Sequence, residues 1–191
     1  MERLMRIDVN GCVEEFQCIP SPNCDDRPPG TLIEMLVIHN ISLPPDEFSG
    51  NGVIELFTNR LDPSEHPYYQ TVHSLKVSSH FFIRRGGEII QFVPCDKRAW
   101  HAGLSSWGGR NQCNDFSIGV ELEGSDRTAF TDDQYRALIR LSLLLQESYP
   151  IKDIVGHSDI AVGRKTDPGP HFDWERYRSA LVVEKHSQSI S

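Results

Sequence analysis

The 191-residue chain has no apolar run approaching the roughly 20 residues that span a bilayer, so a soluble protein is expected. From Met1 to Gly11, Glu2, Arg3, Arg6 and Asp8 interrupt the apolar residues. That denies this segment the continuous apolar stretch of a secretory signal. Positive charge is in deficit. A formal net charge of −8 opposes docking on nucleic-acid phosphates or anionic lipid, where a concentrated basic patch is the usual requirement. Cysteine is sparse: Cys12, Cys18, Cys24, Cys95 and Cys113 form an odd set without CxxC spacing. Such a set suits reduced thiols in the cytoplasm better than a disulfide framework. Neither HExxH nor HxExH occurs, and no repeat, linker or low-complexity stretch divides the chain.

What remains is ordinary globular material, 38% hydrophobic and 24% charged, in a length suited to one domain with its own core. The segment TLIEMLVIH carries a compact apolar run from Met35 to Ile38, followed by Asn40 and Pro44-Pro45. It reads as a buried strand ending at His39. In FFIRRGGEIIQFV, Gly86-Gly87 separates two β-prone runs, the pattern of a hairpin with a two-residue turn at positive φ. SIGVEL alternates, so Ile118, Val120 and Leu122 share one face while Ser117, Gly119 and Glu121 share the other. Thr131 and Gln134 have capping-box spacing, with Phe130 and Tyr135 placed as a hydrophobic staple, and predict a helix to about Ser148 before Pro150. Ile151 to Val155 reads as a strand leading into Gly156-His157. Asp173 is the expected N-cap of a last helix, with Phe172 and Tyr177 as its staple and a frayed polar tail after Val183. Strands and helices alternate too loosely for a pure βαβ pattern, so the expectation is an α/β fold with a mixed central sheet flanked by helices.

Of eight histidines, His39 and His157 stand at the ends of predicted strands, where rigid backbone can aim a side chain into the rim of a sheet. Asp167 follows in TDPGP, a loop stiffened by Pro168 and Pro170. Two imidazoles and one carboxylate would leave the fourth tetrahedral position of a zinc ion to water, the arrangement of a catalytic rather than a structural site. Spacing alone does not separate this reading from histidines that are merely hydrogen-bonded in the core or on the surface.

The local text decides further. VIHNISLPPDEF, DKRAWHAG, CNDFSIGVELEG and GHSDIAVGRKTDPGPHFDW together resemble the cytoplasmic N-acetylmuramoyl-L-alanine amidases of bacterial cell-wall recycling, in order, from about Ile19 to Val183. The resemblance implies the fold shared with peptidoglycan recognition proteins, in one domain over residues 1–191 with peripheral ends. It places Zn2+ on His39, His157 and Asp167, a catalytic glutamate at Glu121 and a catalytic lysine at Lys165. The implied reaction is hydrolysis of the amide between the lactyl group of 1,6-anhydro-N-acetylmuramic acid and L-alanine of a stem peptide. The expected partner is therefore an anhydromuropeptide, not nucleic acid or membrane, and a monomer is expected. Asn40, Trp100 and His101 fall in the matched segments as candidate substrate contacts, Trp100 offering a flat apolar face to a sugar.

Elsewhere, Arg84-Arg85 is read as hairpin surface and Cys113 as a buried small hydrophobe, and His66, His73, His80, His171 and His186 are given no role. Two departures from the family's pattern stand out. Val162-Gly163 replaces an expected proline, which should loosen the loop before Lys165, and Gln112 replaces an arginine, with Arg110 nearby. Two rivals stay open at this point: an amidase of intact peptidoglycan outside the cytoplasm, and a module that binds muropeptide without cutting it.

Overall fold

The computed structural model describes residues 5–188. In chain order its elements are β1 (Gln17–Cys18), β2 (Cys24–Asp26), β3 (Met35–Ile41), α1 (Gly52–Phe57), α2 (Tyr69–Val72), β4 (Phe81–Ile83), β5 (Ile89–Gln91), β6 (Lys97–Ala99), β7 (Ser106–Trp107), β8 (Arg110–Asn111), β9 (Ser117–Glu123), α3 (Asp132–Ser148), β10 (Asp153–Gly156), α4 (His157–Ile160) and α5 (Trp174–Gln188). The central sheet has the order β1-β5-β4-β9-β3-β10. Its neighbours are parallel except for the antiparallel pair β4-β5, and β2-β6 and β7-β8 form two small antiparallel ladders. The expected mixed sheet flanked by helices is what forms. No described helix is long and apolar enough to cross a membrane.

The two middle strands are covered on both faces, which is why β3 reads as an unbroken apolar run. Leu36 and Ile38 of β3, with Ile118, Val120 and Leu122 of β9, join the core that α3 and α5 close. Met35 and Val37 face the other way, into a cluster with Ala102, Cys113 and Phe116, so Cys113 is the buried small hydrophobe expected. His39 follows Met35 and Val37 in the alternation, and Glu121 follows Ser117 and Gly119. Both functional candidates therefore lie on the face away from α3 and α5.

Helix α3 starts where its sequence says it should. The Thr131 hydroxyl accepts from Gln134 N–H at 3.1 Å and the Gln134 side chain accepts from Thr131 N–H at 3.1 Å, an exchange of the kind worth about 1 kcal/mol. Asp173 caps α5 by accepting from Arg176 N–H at 2.9 Å. Tyr177, fully buried, hydrogen-bonds Ser142 of α3 through its hydroxyl, which locks the two helices together. Helix α5 continues to Gln188, beyond the Val183 at which fraying was expected. The expectation for His186 concerns a side chain outside the described set, as does that for residues 1–4.

Three local readings need correction. The β4-β5 turn is a three-residue loop, Arg85 to Gly87, closed by Arg84 N–H to Glu88 O and Gly87 N–H to Arg84 O, both 2.9 Å. Only Gly87 has positive φ, at 83°, because a three-residue hairpin needs a single left-handed position. The adjoining arginines are not plain surface: buried Glu123 accepts from Arg85 N–H at 2.9 Å and lies 3.9 Å from the Arg84 guanidinium. The strand ends are also displaced. His39 lies two residues inside β3, and His157 is the first residue of α4 rather than the last of a strand.

Candidate metal centre

Three elements bring His39, His157 and Asp167 together. His39 comes from β3, His157 from the start of α4, and Asp167 from the loop beyond it. That loop is fixed on both sides of the aspartate: Asp167 O accepts from Ser158 N–H at 2.9 Å, and Pro168 O accepts from the Asn40 amide at 2.9 Å. Asn40 also donates to Asp126 at 2.8 Å, so its amide hydrogens hold the loop. At Val162-Gly163, where a looser loop was expected, Arg164 N–H and Lys165 N–H both donate to Ala161 O, at 3.0 and 3.1 Å, and close a turn.

The donor atoms form a nearly equilateral triangle. His39 Nδ1 is 3.0 Å from His157 Nδ1 and 3.0 Å from Asp167 Oδ2, and His157 Nδ1 is 3.1 Å from Asp167 Oδ2. A tetrahedral ion with bonds of about 2.0–2.1 Å asks for ligand separations of roughly 3.3 Å. The far side of each ring is occupied: His157 Nε2 lies 3.1 Å from Ala102 O, and His39 Nε2 lies 3.0 Å from His101 Nδ1. Ala102 O can only accept, so His157 carries its hydrogen on Nε2 and turns a lone pair inward. The donor set and its spacing fit a divalent ion of the zinc type.

Electrostatics agree. His39 is buried, and burial pulls its pKa down to about 4, against the raising effect of Asp167; it is neutral near pH 7, as a ligand must be. Burial pushes the Asp167 carboxyl up, but the two imidazoles beside it, of His157 and His39, more than offset this and hold it below the usual range.

Glu121 is the neighbour of His39 across the β3-β9 ladder, with Oε1 3.9 Å from His39 Nδ1. It is only 8% exposed, and its Oε2 has no hydrogen-bond partner. Burial first, then the Asp167 charge, raise its pKa well above that of an ordinary glutamate. A buried carboxylate oxygen left unpaired is costly, and Glu121 is among the residues that line an open cleft of about 560 Å³, together with His39, His157, Asp167 and Lys165. Lys165 is exposed on that cleft, and its charge is felt by both Glu121 and His39.

The other expected contacts divide. Asn40 and His101 line the cleft, although each is engaged with the protein as described. Trp100 is not among the lining residues; its indole N–H donates to Asp25 at 3.1 Å, which turns it toward the β2-β6 ladder. Arg110 and Gln112 do not line it either, Arg110 stacking 3.7 Å over the Phe116 ring and pairing with Glu34. The sequence reading assigned nothing to His80, which is fully buried, with Nδ1 accepting from Gly119 N–H at 3.0 Å. It also passed over Gly119, although a glycine inside a strand pattern signals close approach of another group. A Cβ there would fall 2.5 Å from the His101 ring.

An α/β fold that gathers two imidazoles, a carboxylate and an unpaired buried glutamate on the wall of one open cleft has the makings of a hydrolytic enzyme. Comparison with known proteins narrows the class. The chain belongs to the N-acetylmuramoyl-L-alanine amidase family, whose model matches residues 29–170. It is 54% identical over 168 residues to the 1,6-anhydro-N-acetylmuramyl-L-alanine amidase AmpD of Escherichia coli (strain K12), covering 87% of this chain and 92% of that one. A crystal structure of a selenomethionine AmpD derivative superposes with a TM-score of 0.90 at 52% identity, over 93% of this chain and 99% of that one. The amidase AmiD from E. coli, solved with the substrate anhydro-N-acetylmuramic acid-L-Ala-D-gamma-Glu-L-Lys, matches with a TM-score of 0.57 at 31% identity, over 80% of this chain and 60% of that one.

Proposed function

We propose that this chain is a zinc-dependent amidase that hydrolyses the bond between the lactyl group of 1,6-anhydro-N-acetylmuramic acid and L-alanine of the stem peptide, in cytoplasmic recycling of peptidoglycan. The observation that carries the reading is the triangle of His39 Nδ1, His157 Nδ1 and Asp167 Oδ2 with Glu121 beside it, Oε1 3.9 Å from His39 Nδ1. Likeness to AmpD over nearly the whole length supports the anhydro substrate. Five free cysteines, two of them fully buried, support a reducing compartment.

His39, His157 and Asp167 would hold the ion. Zinc there supplies Lewis acidity toward the amide carbonyl and acidifies water toward neutral pH. Glu121 takes the proton from the attacking water on its carboxylate and delivers it to the departing L-alanine nitrogen. Its burial favours the protonated form and so makes it a competent acid in the second half of the reaction. Lys165 sets a cation beside the carbonyl oxygen, where negative charge develops. Water is thereby divided between the new lactyl carboxylate and the new amine, and no side-chain nucleophile is required.

Incubation of the zinc-loaded protein with anhydromuropeptide, in parallel with purified sacculi, tests the reading. Mass spectrometry should find free stem peptide from the first and little from the second. Faster release from sacculi would move the substrate to the polymer, and binding without release would make the chain a recognition module.

A further inference from the structure

Glu121 and Glu123 lie two residues apart on β9 and so point to the same face of the sheet. Their surroundings are opposite. Glu121 leaves Oε2 without a hydrogen-bond partner, whereas both oxygens of the buried Glu123 accept from backbone, Oε1 from Ser49 N–H at 2.7 Å and Oε2 from Arg85 N–H at 2.9 Å. Ser49 belongs to the loop 42–51 that joins β3 to α1, and Ser42, Leu43, Pro45 and Asp46 of that loop line the cleft. The loop is bent against its own preference. Asp46 and Ser49 have φ of 64° and 72°, a left-handed conformation that residues with a Cβ seldom keep unless their surroundings impose it. Asp46 N–H is bonded within the loop, to Ser42 Oγ at 2.9 Å. Ser49 N–H is held from outside, by Glu123.

We infer that Glu123 is a positioning residue for substrate binding, whose buried carboxylate holds the loop 42–51 in the shape that walls the cleft. The inference rests on the reading of that cleft as the substrate site; Glu123 itself is not among the residues that line it. The sheet register delivers the carboxylate to the right place, since Glu123 is paired with Ile41, the last residue of β3, where the loop departs. The neighbouring arginines act in the same direction. The Arg84 guanidinium, 3.9 Å from Glu123, donates to Gly50 O at 3.0 Å and to Asn51 Oδ1 at 3.2 Å, and the Arg85 guanidinium lies 5.0 Å from the centre of the Phe48 ring. At the other end of the loop, Asp46 Oδ2 is 3.2 Å from the Arg127 guanidinium. Without the Glu123 carboxylate, Ser49 N–H loses its acceptor, the backbone there is free to return to negative φ, and the wall built on it shifts. The loop supplies neither a donor atom of the triangle nor the candidate base. Its relaxation therefore weakens ground state and transition state alike, which raises KM and leaves kcat unchanged.

The test compares the zinc-loaded unsubstituted protein with Glu123→Met, which fills similar space and accepts no hydrogen bond, by deuterium exchange across residues 42–51 and by steady-state kinetics on anhydromuropeptide. Exchange at the Ser49 amide should quicken and KM should rise, each roughly ten- to a hundredfold, as for loss of a bond to a charged acceptor, while kcat stays within about threefold. Glu123→Gln, which keeps one accepting oxygen, should fall between the two. Unchanged exchange in Glu123→Met overturns the inference. So does faster exchange with an unchanged KM, or a loss confined to kcat. If Glu123→Met folds poorly, Arg84→Gln leaves the carboxylate in place and removes the bonds to Gly50 and Asn51; it should give a smaller rise in KM, and no rise overturns the inference. Exchange is read without substrate, so an unsubstituted protein that turns over no anhydromuropeptide would refute the amidase reading, and the exchange data would still decide whether Glu123 holds the loop.

Discussion

His39 and Glu121 are paired positions on adjacent parallel strands, with His39 Nδ1 3.9 Å from Glu121 Oε1. The sheet register alone sets this pairing, so the candidate ligand and the candidate base share one face of the sheet without any loop to arrange them. A slip of one residue would turn Glu121 into the α3-α5 core, where Ile118, Val120 and Leu122 now pack.

Because Glu121 is beside the donor triangle but not part of it, removing its charge should separate metal binding from turnover. Glu121→Gln is expected to keep the zinc stoichiometry while kcat falls about 10²–10⁴-fold. Metal analysis and turnover on the same sample check this, and normal kcat would remove Glu121 from the mechanism.

Lys165 is exposed and donates no atom to the triangle. Lys165→Ala should leave zinc affinity and thermal stability near those of the unsubstituted protein and lower kcat by about 10²–10³-fold. A change confined to KM would mean that Lys165 contacts substrate only in the ground state.

Much of the fold was legible in local text, and the failures share one cause. Thr131 with Gln134, Asp173 with the residues after it, and the alternation in SIGVEL act over a few residues, so spacing alone is informative. The hydrogen bond of Trp100 could not be foreseen, because its partner, Asp25, lies 75 residues earlier in the chain. His80 and His101 depend on contacts brought together by β9, and no window of sequence contains both ends of the His39–His101 bond, 62 residues apart. His39, His157 and Asp167 could be nominated from strand-end and loop positions, but their meeting at one point is set by the β3-β10 pairing and the Asn40 clamp.

Acid should destabilise the metal-free protein at a pH above the range in which ordinary carboxylates titrate. Burial first, and the Arg27 charge second, pull the His80 pKa from 6.5 down to about 3. Between those values the unfolded chain binds the proton and the folded chain does not. Stability is therefore fully present above pH 6.5 and is lost as pH falls, by up to about 1.4 kcal/mol per pH unit for such a group. Urea unfolding at stepwise lower pH should trace this slope, and constant stability from pH 6.5 to 5 would show that His80 is not held neutral by burial.

The thiols should differ sharply in reactivity. Burial pushes the Cys95 thiol up to about 12, and Cys95 and Cys113 are fully buried, whereas Cys18 is exposed. Iodoacetamide at mildly alkaline pH should label Cys18 in the native protein and spare Cys95 and Cys113 until denaturant is added. Early labelling of Cys95, read by peptide mass spectrometry, would contradict the packing around it.

The central claim is that three side chains hold one ion on which hydrolysis depends. The most direct measurement adds zinc stepwise to chelator-stripped protein and follows release of stem peptide from anhydromuropeptide. Activity should start near zero, rise with each addition and level off at a single ion per chain, and His39→Ala should stay inactive throughout. Full activity in the stripped protein, or a rise that survives His39→Ala, would contradict the account.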